Sequence, residues 1–226
     1  MTGSSMDSGV AFVCSWSGGK DSCLALHRAI QAGAEPRFLL SMLREDGARS
    51  RSHGLEPAIL EAQAASLGIP LITRAASWDE YESVFVAALQ ELEVEGVRAG
   101  VFGDIDLDDH RAWEEKVCAA AGIEPFLPLW QAPRAELLDE LIGLGFEAVI
   151  VAANAEKLDS GFLGRALDHD LAREFEQIGI DLCGEEGEYH TVVVDGPIFA
   201  EPVRLTVGEP VLYDGYWFLD AALCQS

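Results

Sequence analysis

The chain has 226 residues, 15 of them Lys or Arg and 39 Asp or Glu, for a formal net charge of −24 and a sequence pI near 4.3. Hydrophobic residues make up 49%, far too many for an acidic disordered chain, so the charge lies on the surface of a folded body of one large or two small domains. A field this negative repels polyanions, which excludes nucleic acid as an expected partner.

The cysteines, Cys14, Cys23, Cys118, Cys183 and Cys224, are widely spaced and form no C-x-x-C pair, so neither a disulfide framework nor a zinc knuckle is signalled. The start, Met1 to Gly9, is small and polar, and no apolar run reaches the roughly 18 residues of a membrane span. A cytoplasmic protein with no membrane partner is expected.

Val10 to Trp16 is a short apolar run of the kind a buried strand shows, and Ser17-Gly18-Gly19-Lys20-Asp21-Ser22 follows it directly. A helix pattern covers Asp21 to Gln31. Strand and helix patterns then alternate: Arg37 to Leu43, Pro57 to Leu67, Leu71 to Arg74, Glu80 to Leu92, Ala99 to Phe102, Asp109 to Ala121, Phe126 to Leu129, Ala135 to Leu144 and Ala148 to Val151. This rhythm predicts an α/β fold with a doubly wound parallel sheet. It breaks after Ala153, where a helix near Leu167 to Gln177 precedes strand patterns at Tyr189 to Val194, Val203 to Val207 and Tyr213 to Leu219. Two domains are expected: residues 1–152, and a smaller α+β lobe over 153–226.

Lys occurs at three positions, Lys20, Lys116 and Lys157, and the first stands in the Gly-rich turn between strand and helix. Two glycines let the backbone turn tightly against an anion, the helix behind contributes its positive end, and Lys20 adds a point charge. Ser17 and Ser22 can donate hydroxyls to phosphate oxygens; Asp21 suits a helix cap or a magnesium ligand. The spacing is not that of the Walker loop. His53 lies in Arg51-Ser52-His53-Gly54 after the second strand pattern, at the same end of the expected sheet. Gly103-Asp104 ends the fourth, where the carboxylate of Asp104 could hold Mg²⁺ beside a triphosphate. In the second lobe, Glu185, Glu186, Glu188, Tyr189 and His190 crowd into Cys183 to Thr191 just before a strand pattern. That much charge next to a buried element favours a formed site over a solvated turn.

The Ser17 to Ser22 segment resembles the pyrophosphate loop, Ser-Gly-Gly-x-Asp-Ser, of the N-type ATP pyrophosphatases. With Arg51 to Gly54, Glu61 to Ala64, Gly68 to Pro70, Pro128 to Trp130, Gly145 to Val151, Leu163 to Arg165 and Gly184 to Phe199, nearly the whole chain resembles the diphthine-ammonia ligase-like group of the adenine nucleotide alpha hydrolase-like (HUP) fold. Relative to that group's second motif, Glu186 stands in place of a glycine and His190 in place of a glutamate.

The resemblance implies an ATP-dependent, AMP- and pyrophosphate-forming amide ligase, in which a substrate carboxylate is adenylated and then attacked by ammonia or an amine. It further implies nucleotide contacts at Ser15, Ser17, Gly18, Gly19, Lys20, Asp21, Ser22, Met42, His53 and Gly103, and magnesium on Asp21 and Asp104. Catalytic roles fall on Lys20, Asp21, Glu188 and His190, and substrate contacts on Glu185, Glu186, Glu188, Tyr189 and His190. The expected partners are ATP, a carboxylate-bearing substrate (protein-bound diphthine or a small molecule), ammonium and a second copy of the chain. The alternative functions are an ATP pyrophosphatase of bacterial small-molecule salvage, with cobalamin as a candidate, and a nucleotide-binding regulatory protein.

Overall fold

The computed structural model describes residues 7–51 and 53–224; of the polar start read at Met1 to Gly9, Met1 to Met6 lie outside them, as does Ser52. The chain divides into two compact units that are discontinuous in sequence. The first comprises residues up to Ser17 with Asp21–Ser50 and Gly68–Ala132; the second comprises Gly18–Lys20, Arg51–Leu67 and Pro133 onward. The expected boundary at 152/153 falls inside a strand of the second unit.

The first unit holds five strands in the order β3-β2-β1-β4-β5: β1 Ala11–Ser15, β2 Glu35–Leu43, β3 Leu71–Ala75, β4 Ala99–Val101 and β5 Glu124–Phe126. Every pairing is parallel. β1 occupies the centre because its residues suit it: Phe12, Val13 and Cys14 are at most 1% exposed. Helices α3 (Tyr81–Val94) and α4 (Asp108–Ala121) contribute Phe85, Leu89, Leu92, Val117 and Cys118 to an apolar cluster with Val13, Leu40 and Met42 from the strands. α4 ends at Gly122 in the left-handed conformation, φ 75°. Strand order reverses between β1 and β4, and in open parallel sheets ligands bind outside the carboxyl ends of the strands at that point. The sequence Ser17 to Ser22 follows β1, and Gly103-Asp104 follows β4.

The second unit contains helices α2 (Pro57–Leu67), α5 (Arg134–Gly143) and α6 (His169–Ile178) and an antiparallel sheet in the order β7-β6-β9-β8. Its strands are β6 Glu147–Asn154, β7 Tyr189–Asp195, β8 Leu205–Tyr213 and β9 Tyr216–Leu223. α6 is capped by the Asp168 carboxylate, which accepts from the Leu171 N–H at 2.8 Å.

The apolar run from Ala148 to Val151 is expected in the parallel sheet, but β6 pairs antiparallel with β7 and β9. β6 has a neighbour on each edge and consecutive buried residues from Ile150 to Ala153, so its apolar run looks the same in either kind of sheet and the pattern cannot name its neighbours. Among the described residues, no helix is long and apolar enough to cross a membrane.

Candidate functional site

Helix α1 (Lys20–Gln31) begins inside the Gly-rich segment, with Asp21 in its first turn. Ahead of it, the hydroxyls of Ser17 and Ser22 share a hydrogen bond at 3.1 Å. Gly103 closes against this helix start: a Cβ there would lie 2.8 Å from the carbonyl carbon of Asp21 and 2.9 Å from the Ser22 nitrogen. Only glycine admits so close a backbone approach. The carboxyl ends of β1 and β4 are therefore held together by main chain. Ser15 ends β1, while Met42 is packed into the apolar cluster of this unit.

Asp104, one residue beyond, sits in a carboxyl pair. His110 Nδ1 bonds its carboxylate at 2.7 Å, and Glu114, 2% exposed, shares a hydrogen bond with it. Burial, the Asp104 hydrogen bond and the neighbouring charges push Glu114 up to about 11, so it carries its proton at neutral pH and donates it to Asp104. Burial raises the Asp104 carboxyl too, but the bonds from His110 and Glu114 outweigh it and hold Asp104 below its ordinary value. Among the described residues, no group of three or more His, Cys, Asp and Glu side chains is arranged to hold a metal ion. A magnesium ion on Asp21 or Asp104 would therefore take most of its ligands from phosphate and water, the usual habit of this ion.

The middle of the loop, Gly18 to Lys20, is built into the second unit by β7. The Gly18 carbonyl accepts from the Val193 N–H at 2.9 Å and from Gln63 Nε2 at 2.9 Å; Gln63 Nε2 also donates to the Val193 carbonyl at 2.7 Å. The Lys20 N–H donates to Thr191 Oγ1 at 3.0 Å. β7 ends its sheet, so residues 191 and 193 present backbone groups along an edge that needs covering. The loop and Gln63 supply that cover. Gly18 is fixed by both conformation and space: its φ is +77°, and a Cβ would lie 2.5 Å from Gln63 Oε1.

His53 Nδ1 donates to the Thr191 carbonyl at 2.7 Å, since the carbonyl can only accept. The His53 ring lies beside Gly19, where a Cβ would stand 2.4 Å from its Cε1. His190 is next to it, with ring centroids 4.8 Å apart. Lys20 is 6% exposed, and its Nζ lies 5.6 Å over the Tyr189 ring. Desolvation, with the positive charge of Lys20 and against the Thr191 carbonyl, lowers His53 to about 4; desolvation, His53 and Lys20 together lower His190 to about 3.

The acidic turn before β7 is a braced structure. The Glu188 carboxylate, 3% exposed, accepts from Lys157 Nζ at 3.0 Å and from the Glu186 N–H at 3.0 Å. Lys157 also reaches the Glu186 carbonyl at 3.1 Å. Tyr189 stacks on Phe175 at 5.1 Å and donates to the Leu182 carbonyl at 2.5 Å. Glu185 is anchored through its N–H to Asp181 at 2.8 Å, and Asp181 is paired with Arg134 at 3.0 Å. Glu188 and Tyr189 thus hold the turn; Glu186 is exposed, and Glu185 and His190 are half-buried.

Three contributors were not singled out by sequence: Gln63, Thr191 and Lys157. Lys157 carried a usable signal as one of three Lys in the chain. Gln63, fully buried in α2, had the signal of a lone amide in an apolar helical run. Thr191 had none beyond its place in the motif.

Five parallel strands with helices packed against them put the chain in the open α/β class, in which ligands bind outside the carboxyl ends of the strands. Within that class the chain belongs to the diphthamide synthase family: residues 10–125 match the family's diphthamide synthase N-terminal domain and residues 133–225 its C-terminal domain. Similar proteins include the diphthine–ammonia ligase of Danio rerio, 29% identical with 87% of each chain covered, and that of Homo sapiens, 28% identical with 91% of this chain and 86% of the human one covered. Among solved structures, a predicted subunit of tRNA methyltransferase from Methanocaldococcus jannaschii aligns with a TM-score of 0.46 and 17% identity, covering 83% of this chain and 98% of that one.

Proposed function

We propose that this protein is an ATP-dependent amide ligase of the diphthine–ammonia ligase type, forming AMP and pyrophosphate. The observation that carries the reading is the match of both family domains, over residues 10–125 and 133–225. The substrate carboxylate of protein-bound diphthine attacks the α-phosphorus of ATP, pyrophosphate leaves, and ammonia displaces AMP to give the amide.

In this reading the Ser17 to Ser22 segment meets the phosphates of ATP and the turn before β7 meets the acceptor. Lys20, the hydroxyls of Ser17 and Ser22 and the first turn of α1 take the phosphates, with Gly18, Gly19 and Gly103 giving the backbone its close approach and His53 adding a contact beside Gly19. Ser15 and Met42, at the carboxyl ends of β1 and β2, are further candidates for nucleotide contact. Asp21 and Asp104 offer oxygen ligands to Mg²⁺, which would screen the phosphate charge. On the acceptor side, Glu185, Glu186 and His190 orient the substrate, and Glu188 and Tyr189 hold their turn in place. A single lysine, Lys20, at a helix start within a chain of net charge −24 favours a compact anion over a nucleic acid.

The test is incubation with Mg-ATP, ammonium and diphthine-bearing elongation factor 2. AMP, pyrophosphate and the amide appear together if the reading is correct; ADP and orthophosphate as products would exclude attack at the α-phosphorus.

A further inference from the structure

The segment Gly18 to Lys20 brings one cation, Lys20, to a ligand that carries several negative charges. Two imidazoles stand beside it, His53 against Gly19 and His190 4.8 Å from His53. The Nδ1 hydrogen of His53 is committed to the Thr191 carbonyl at 2.7 Å, so the neutral ring carries its lone pair on Nε2. A lone pair repels a phosphate oxygen. A proton on Nε2 turns the same atom into a donor without moving the ring, and leaves the bond to Thr191 intact.

We propose that His53 takes up a proton on Nε2 when a nucleoside triphosphate fills the loop, becoming a second cation beside Lys20 and a hydrogen-bond donor to phosphate. The inference rests on the nucleotide reading of this loop. The proton comes from solvent and returns to it when the ligand leaves. In the ligand-free protein, His53 and His190 are both neutral at pH 7, held down by burial and by Lys20. The other groups facing the pair are Tyr189, whose ring lies under Lys20, and Tyr216, stacked 6.2 Å beyond His190. The carboxylate that precedes them, Glu188, is bound by Lys157. A triphosphate reverses the sign of the local field and favours the charged imidazole. One proton is taken rather than two, because like charges on rings this close oppose each other, and His53 receives it because the Thr191 carbonyl already favours its cation.

The experiment is calorimetric titration with the α,β-methylene analogue of ATP and excess Mg²⁺ at about pH 7.5, in buffers of different ionisation enthalpy. Wild type is expected to take up about one proton per nucleotide, with affinity falling by up to about tenfold per pH unit between the free-state and bound-state pKa and levelling off above the latter. His53→Asn, whose amide N–H can keep the bond to the Thr191 carbonyl, is expected to lose that uptake, and His190→Asn to retain it. Nucleotide binding without proton uptake, or uptake that survives in His53→Asn, overturns the inference and leaves the nucleotide reading standing. No nucleotide binding by wild type removes both.

Discussion

Lys20 and Thr191 are 171 residues apart in sequence, yet the backbone N–H of the first donates to the hydroxyl of the second at 3.0 Å. The carbonyl of the same threonine receives His53 Nδ1. One residue of β7 therefore sets both the start of α1 and the tautomer of the histidine beside the loop.

Thr191→Val keeps the shape of the side chain and removes the acceptor of a buried N–H. It is expected to cost about 1–3 kcal/mol in urea unfolding and to raise the KM for ATP by about tenfold, the equivalent of ~1.4 kcal/mol of lost binding. Thr191→Ser restores the acceptor and should recover the KM. An unchanged KM in the valine variant would show that this bond does not position the loop.

Gln63 Nε2 serves two carbonyls, Gly18 and Val193. Gln63→Leu takes one donor from each, leaving the Gly18 carbonyl only the Val193 N–H, and is expected to destabilise the protein by about 2 kcal/mol. Gln63→Glu places a carboxylate against the same two oxygens and should cost more. Unfolding midpoints of the two variants measured side by side decide the order, and a glutamate variant as stable as wild type would contradict the assignment.

Glu114 predicts a pH dependence. Folding raises this carboxyl from its ordinary value to about 11, so between those limits the folded state holds one more proton than the unfolded state. Stability therefore falls as pH rises through this window. Glu114→Gln, which keeps a donor for Asp104 and has no proton to lose, should flatten the curve and become the more stable protein at alkaline pH. Parallel stability curves for the two proteins would contradict it.

Lys157 is predicted to matter through Glu188. Lys157→Met leaves the enclosed carboxylate without its cation and should lower the melting temperature. Adding Glu188→Gln in the same chain should recover part of the loss, because a neutral amide needs no counter-charge. Additive losses in the double variant would show that the two residues are not coupled.

The alternation of apolar strands and helices made most elements legible, since α2 spans the expected Pro57–Leu67 and α1, α4 and α5 fall within a residue of expectation. The motif Ser17 to Ser22 was legible because its residue types each have a local reason to stand between a strand and a helix. The allegiance of β6 was not, because sheet neighbours are chosen by tertiary packing. The roles within the acidic turn were equally hidden: burial and Lys157 make Glu188 a brace, and no spacing rule brings residue 157 to residue 188. For the same reason the loop glycines were read only as room for an anion, whereas Gln63 and His53 also occupy the space beside them.

The most direct test of the central claim is the product analysis of wild type and Lys20→Ala with Mg-ATP, ammonium and the diphthine-bearing substrate. The account predicts AMP and pyrophosphate in equal amounts with the amide for wild type, and loss of all three products in the variant. Full activity in Lys20→Ala, or ADP with orthophosphate from wild type, would contradict it.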